Sequence, residues 1–281
     1  MNALLQLIAP WKALKIPHGF FLRFAPGFLT YSPTHIISFE TQKYHLKIAT
    51  KMSELLEVFR LRYQIFLEDC QGVGDGSEID VDDFDTKCDH IIIEDKENSK
   101  IVGTYRVLSS DWSDHFYSEG EFDLENFLKS PGIKLELGRA CIHHGHRNGA
   151  VIDLLWKGIG EYAKRTRATQ LFGCSSVKTT SKDVSEKLMN YLAKRGMLEN
   201  NYGVIPRSRH NMGLKLFNEC FSEDEAKSYL PSLLRSYLSA GARVHGAPAL
   251  DKDFGCIDFL TIIDINALNP SYRKRYFDRN I

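Results

Sequence analysis

The chain switches between two hydrophobic rhythms. "YHLKIAT", Tyr44 to Thr50, places apolar residues at every second position and predicts a half-buried strand. "ELLEVFRLRYQIFLE" then brings Leu55, Phe59, Tyr63 and Phe66 onto one helical face, with Ser53 standing where an N-cap would. Arg62 and Phe66 fall on the same side of that helix. Between Asp69 and Asp89 both rhythms stop: Gly72, Gly74 and Gly76 precede the dense acidic run "EIDVDDFDTKCD", which predicts a long loop. "DHIIIED" and "KIVGTYRVLSS" resume a strand pattern around the turn-like "KENSK", an antiparallel pair with Arg106 near its end. A third strand, about Ile133 to Ile142, would lie next in that sheet.

Helical and strand patterns then alternate. Ile152, Leu155, Trp156, Ile159 and Ala163 form a stripe after "HHGHRNGA", and "TQLFGCSSV" reads as a strand. "SKDVSEKLMNYLAKRG" is a helix capped by Ser181 or Asp183 and closed by Gly196. In the last third, "NYGVIPRSRHNMG" is loop-like, "PSLLRSYLSAG" is a helix with Pro231 in its first turn, and "CIDFLTIIDI" is a buried strand. No linker rich in Pro, Gly and Ser separates this part. The expectation is an α+β protein with a mixed, mostly antiparallel central sheet flanked by helices. It divides into an apolar arm (1–43), a core (44–200) and a C-terminal extension of the same domain with a basic tail (201–281).

Composition narrows the function. Of 281 residues 43% are hydrophobic, which suits a globular core, and 36 basic residues balance 36 acidic ones. A neutral chain offers no general field for nucleic acid, so partners must be recognised locally. Cys70, Cys88, Cys141, Cys174, Cys220 and Cys256 form no C-x-x-C pair and read as free thiols of a reducing compartment. Residues 1–30 are rich in Leu, Phe and Trp but broken by Pro10, Lys12, Lys15, Pro17 and Arg23, so they are neither a signal peptide nor a membrane span. Two readings stand for this arm: an interfacial lipid contact, or a hydrophobic segment packed on its own domain. The tail "SYRKRYFDRN", with Arg273, Lys274, Arg275 and Arg279, has the same two options, solvated or against anionic lipid.

One strand breaks its own rule. In "KLELGRACI" Leu135 and Leu137 hold the apolar face, while the other face carries Glu136, Gly138 and then Arg139. The acidic loop raises a second charge problem. Calcium does not solve it, because an EF-hand register starting at Asp80 puts Phe84 and Asp85 at the third-ligand and glycine positions and Ile91 at the twelfth. Phe84 would instead draw the loop onto the core, bringing Asp82 and Asp85 toward Arg62 or Arg106. His143, His144 and His146 lack a spacing-matched partner set and read as surface groups, so no metal is expected. Cys141 and Cys174 read as buried structural thiols. Arg147, Asn148 and Gly149 open a helix directly after a strand, an arrangement that suits a phosphate.

Together these residues resemble the GNAT superfamily of N-acyltransferases. The order Arg62, Phe66, Asp82, Asp85, Arg106, Glu136, Arg139 is similar to the pattern of acyl-homoserine-lactone synthases. "YSEGEFDL", "LELGRACI", "LLWKGIGEY", "LFGCSSV" and "LRSYLSAGARVHGAPALDKDFGCIDFLTIID" resemble the ornithine lipid (lyso-ornithine lipid) N-acyltransferases, long labelled hemolysin-like. The resemblance implies a GNAT-like acyl-CoA N-acyltransferase fold with a C-terminal extension. It implies transfer of a 3-hydroxy fatty acyl group from the phosphopantetheine arm of acyl carrier protein to the α-amino group of ornithine. No cofactor would be bound permanently, and the enzyme would be cytoplasmic and peripheral to the inner membrane of a bacterium. Arg62, Phe66, Asp82 and Asp85 would line the amino-acid side, and Arg147, Asn148 and Gly149 would take the phosphate of the donor. "RNGAVI" lacks a second glycine of the usual pyrophosphate loop, which favours carrier protein over acyl-CoA. An amine attacks a thioester only as the free base, so Glu136 is expected as general base, with Arg106 and Arg139 bracing the carboxylates. The plainer role for Glu136 is an ion pair with Arg106 or Arg139. Acylation of glycine or tyrosine, a homoserine-lactone-type reaction, and a membrane-active lytic protein are the rival functions.

Overall fold

A computed structural model describes residues 25–28, 30–69, 78–215 and 219–278. Most of the apolar arm, Cys70, Gly72, Gly74, Gly76 and Arg279 lie outside the described residues. The chain divides into two compact units, each drawn from separate stretches: Met1–Val107 with Arg139–Ile159, and Leu108–Gly138 with Gly160–Ile281.

The first unit holds β1 (Ser38–Glu40), β2 (Tyr44–Ile48), β3 (Asp89–Asp95) and β4 (Lys100–Ser109, all but its last two residues), each antiparallel to the next. The helix α1 spans Met52–Tyr63. Its Leu55, Leu56, Val58 and Phe59 are fully buried in a cluster with Ile79, Ile92 and Cys141. Each such side chain contributes about 1.5–3 kcal/mol by leaving water. The N-cap is Lys51 and not Ser53. Glu54 decides this, because its carboxylate accepts the Thr50 and Lys51 N–H groups at 2.8 and 3.0 Å. At Gln64 the α-helix gives way to a wider π-helical turn through Asp69, so the single long helix of the sequence pattern is two segments.

The second unit contains β5 (Phe122–Asp123), the first part of β6 (Ile133–Ile142), β7 (Ala168–Val177), β8 (Leu198–Glu199), β9 (Ile205–Pro206), β10 (Arg243–His245), β11 (Ala249–Asp251) and β12 (Cys256–Asp264). Its sheet is mixed: β6 runs parallel to β7, β12 antiparallel to β7, and β10 antiparallel to β12 and parallel to β8. The buried strand expected at "CIDFLTIIDI" is thus central, with β7 on one side and β10 and β11 on the other. The helix α2 (Ala150–Thr166) passes from the first unit into the second, and α3 (Lys182–Lys194), α4 (Glu223–Tyr229) and α5 (Ser232–Ala240) belong to the second. Ser181 caps α3 by accepting the Val184 N–H, and Gly241 ends α5 at φ 110°. Leu188, Leu192, Leu234, Leu238 and Phe259 make one cluster against this sheet. No helix among the described residues is long and apolar enough to cross a membrane. In the basic tail Tyr276 and Phe277 are buried while Arg273, Lys274 and Arg275 are exposed, so those two rings are not offered to a lipid surface.

Pairing between β6 and β7 is registered from Ile133 to Glu136, where Glu136 faces Phe172. At the next step the strands are close enough that a Cβ on Gly173 would sit 2.2 Å from the Leu137 carbonyl oxygen. Only glycine fits there. Gly173→Ala is expected to destabilise the fold by about 1–3 kcal/mol through forced backbone displacement. An unchanged urea midpoint would show that the approach is looser than described.

Candidate active site

Three arginines and three aspartates of the first unit form one ion-pair network. Arg62, near the end of α1, is fully buried and grips Asp85 with both terminal nitrogens, Nη1 to Oδ1 at 2.7 Å and Nη2 to Oδ2 at 3.1 Å. Its Nε donates to Asp80 Oδ2 at 2.7 Å. Arg106, from β4, donates through Nη1 to Asp82 Oδ1 at 2.6 Å and Asp85 Oδ1 at 3.0 Å. Arg139, from β6, reaches Asp82 Oδ2 at 3.1 Å and lies 3.3 Å from Asp80 Oδ2. Planar guanidinium forks meet carboxylates two bonds at a time, which fixes direction as well as charge.

The acidic loop folds the way Phe84 predicts. The Asp82 N–H donates to Asp85 Oδ2 at 2.8 Å and the Phe84 N–H to Asp82 Oδ1 at 2.9 Å, while the Arg106 guanidinium lies 5.9 Å from the Phe84 ring centre. The side chains of Asp82 and Asp85 therefore bend back onto their own loop. Asp80 is the member the sequence reading passed over. Alternation with Ile79 and Val81 would turn its carboxylate to the face opposite those two side chains, so the pattern gave no sign of the pairing.

Burial and charge compete at each group. Burial alone would raise the Asp85 carboxyl, but the Arg62 and Arg106 guanidiniums overcome it and hold the group far below the carboxylate range. Asp80 is likewise lowered, burial opposing and Arg62 and Arg139 prevailing. His90 donates through Nε2–H to the Asp85 carbonyl at 3.1 Å, and burial lowers its pKa to about 4. Phe66 is half-buried and packs on the cluster around Leu55 and Phe59.

Glu136 belongs to the second unit and is 6% exposed. Its Oε2 accepts the Tyr117 N–H at 2.9 Å and its Oε1 the Ser118 N–H at 2.7 Å. Two backbone donors fix the plane of the carboxylate. Nothing in "KLELGRACI" announces the Tyr117–Gly120 turn that supplies these donors.

Arg147, Asn148 and Gly149 sit exposed immediately before α2. Asn148 Oδ1 accepts the Ala150 N–H at 3.2 Å, Arg147 Nε donates to the Ile142 carbonyl at 3.1 Å, and Gly149 adopts φ 86° with open space on its Cβ side. A left-handed glycine at the start of a 17-residue helix leaves the helix end open to an anion. The three histidines before it are surface or half-buried groups, and His146 Nδ1 lies 3.0 Å from the Tyr44 hydroxyl.

Residues 61–157 match the acetyltransferase (GNAT) domain family. The matched stretch contains every candidate residue named above, from Arg62 to Gly149. An L-ornithine N(alpha)-acyltransferase of Rhodobacter capsulatus is 28% identical over 249 residues, 84% of this chain and 95% of that one. One of Brucella abortus is 27% identical over 247 residues, 82% and 88% of the two chains. The solved structure of FeeM, an N-acyl amino acid synthase from uncultured soil microbes, superposes with a TM-score of 0.49 at 12% identity over 84% of this chain and 96% of that one. The protein is an acyltransferase, and the GNAT-like fold with a mixed sheet is as the motifs implied.

Two outcomes follow from the ion-pair network. Asp85→Asn leaves Arg62 and Arg106 buried with too little negative charge and is expected to cost about 3–5 kcal/mol in urea unfolding. A loss below about 1 kcal/mol would mean the network is dispensable. Stability is also expected to fall between pH 6.5 and 4, because the unfolded His90 takes up a proton in that window while the buried one stays neutral. Asp80 and Asp85, whose carboxyls are lowered in the fold, add a further loss at still lower pH. A flat pH profile from 7 to 4 would contradict the burial of His90.

Proposed function

We propose that this protein transfers a fatty acyl group from a thioester donor to the α-amino group of L-ornithine. The observation that carries the reading is the match along more than four-fifths of the chain to bacterial enzymes named for that reaction, 28% identical in Rhodobacter capsulatus and 27% in Brucella abortus.

The chemistry needs an amine freed of its proton, a positioned carbonyl and a leaving thiolate. Glu136 accepts a hydrogen bond from the α-ammonium and takes its proton directly or through one water. The free amine attacks the thioester carbon, the C–N bond forms, the C–S bond breaks, and the proton passes to the departing sulfur. Strand N–H groups polarise the carbonyl oxygen as it becomes an oxyanion. The Arg62, Arg106 and Arg139 network, with Asp80, Asp82 and Asp85, holds α1, the acidic loop and the strands in register for the amino acid. Arg147, Asn148 and Gly149 receive the phosphate of a phosphopantetheine arm, and the absence of a second glycine in "RNGAVI" supports acyl carrier protein as the donor. A soluble donor and a lipid product put the enzyme in the cytoplasm, against the inner membrane.

With purified acyl carrier protein charged with a 3-hydroxy fatty acid, ornithine is expected to trigger stoichiometric thiol release and an Nα-acyl product by mass spectrometry. Glycine or tyrosine supporting equal turnover would overturn the choice of acceptor. Glu136→Gln is expected to lower kcat by about 10²-fold or more at neutral pH and to flatten its acid limb. An unchanged kcat across pH would restrict Glu136 to a structural role. Arg147→Ala is expected to raise KM for the donor while leaving KM for ornithine unchanged.

A further inference from the structure

The two N–H groups that hold Glu136 come from one short turn, and the far end of that turn is held in its own right. Tyr117–Gly120 is a single 3₁₀ turn. Its near end donates the Tyr117 and Ser118 N–H groups to Glu136 at 2.9 and 2.7 Å. At its far end Arg207 donates through Nε to the Glu119 carbonyl, and Arg209 through Nη2 to the Gly120 carbonyl at 3.2 Å. The Arg207 N–H donates to the Glu121 carbonyl at 2.7 Å, and the pairing of β9 with β5, Pro206 opposite Phe122, lays this segment alongside the turn. All of these residues belong to the second unit.

Peptide hydrogen bonds join the two ends. The Gly120 carbonyl that accepts Arg209 shares a peptide plane with the Glu121 N–H, which donates to the Ser118 carbonyl at 3.1 Å. That carbonyl shares a plane with the Glu119 N–H, which donates to the Phe116 carbonyl at 3.2 Å, and the Phe116 carbonyl shares a plane with the Tyr117 N–H that meets Glu136. Hydrogen bonds in series thus run from a guanidinium to a carboxylate, all pointing the same way, and bonds in such a chain polarise one another. A cation at the carbonyl end of a helical turn and an anion at its N–H end are both favourably placed. Arg209 is itself oriented: its Nε donates to His210 Nε2 at 2.7 Å, and His210 donates through Nδ1 to the Leu250 carbonyl of β11 at 2.8 Å.

We infer that Arg209, with Arg207, is a positioning residue for Glu136: the two guanidiniums hold the turn in the shape that presents its N–H groups to the carboxylate, and their charge strengthens those hydrogen bonds. The inference takes Glu136 as the base from the function proposed above and adds two residues that act on it through the turn. Other titratable groups about the turn are Glu119, whose carboxylate accepts the Phe116 N–H at 2.7 Å and lies 3.8 Å from His115, together with Glu121 and Cys174, whose thiol donates to Ser118 Oγ at 3.4 Å. On β6 Lys134 shares the sheet face of Glu136, its ammonium on the Ser130 and Gly132 carbonyls. All of them are retained in the variants that test the inference.

The amide resonances of Tyr117 and Ser118 respond to the charge on the carboxylate they hold, so their pH titration, followed by NMR without substrates, reads the relay. In Arg209→Met the midpoint is expected to move upward from wild type by about 0.3–0.7 pH unit, and further in Arg207→Met/Arg209→Met, because less positive charge at the far end weakens the donors to the charged carboxylate. Arg209→Lys keeps the charge and is expected to recover about half of that movement or more. Arg235→Met is the control: it takes a guanidinium from the Lys227 carbonyl elsewhere in the second unit and is expected to leave the midpoint in place. In the donor assay the acid limb of kcat is expected to follow the midpoint while KM for ornithine stays within about twofold. Circular dichroism checks each variant, and Arg209→Met suffices if the double variant does not fold. A midpoint unmoved in Arg209→Met, or moved equally in Arg235→Met, overturns the inference. A kcat limb that stays while the resonances move overturns Glu136 as the base and upholds the relay.

Discussion

The bidentate pair between Arg62 and Asp85 is the interaction on which the first unit turns. Both side chains are fully buried, and neither charge is tolerable alone. Through Asp85 the pair reaches Arg106 on β4, through Asp80 it reaches Arg139 on β6, and Asp82 closes the circuit. Three positive and three negative groups cancel, so helix, loop and two strands are joined with no net charge left in the core. Such a network adds little over a hydrophobic core of equal volume; what it provides is a single permitted arrangement.

Glu136 is held by different means. The backbone N–H groups of Tyr117 and Ser118, fixed by the fold, hold its two oxygens. A carboxylate saturated by arginine has little left to offer a substrate, whereas one clamped by two amides is held in a fixed plane by neutral donors.

Much of this was legible in the chain. A period-two run marked β2, apolar runs between turn signals marked β3, β4, β7 and β12, helical stripes marked α1 and α2, and capping residues marked α3. The partnership of Arg62 and Arg106 with Asp82 and Asp85 could be anticipated from Phe84, which pulls the loop inward. The N-cap of α1 could not, since Glu54 caps through a carboxylate reaching back along the chain and Ser53 has the more usual residue type. Nor could the donors to Glu136, which come from a turn far off in sequence. Contacts between distant segments depend on strand order, and alternation alone carries no record of which strand lies beside which.

Arg139 shows what this architecture tolerates. It sits in the middle of β6 with φ 52°, a conformation that costs an L-residue about 1–2 kcal/mol. Glycine would relax the backbone and strip the charge from Asp80 and Asp82; lysine would keep a charge and lose the fork. No amino acid satisfies both demands, so the position is frustrated by construction. Because a left-handed residue also interrupts the in-and-out alternation, β6 behaves as two strands of opposite phase spliced at one point. The strain is confined to a single joint, and the ion pairs of Arg139 with Asp80 and Asp82 keep that joint from relaxing.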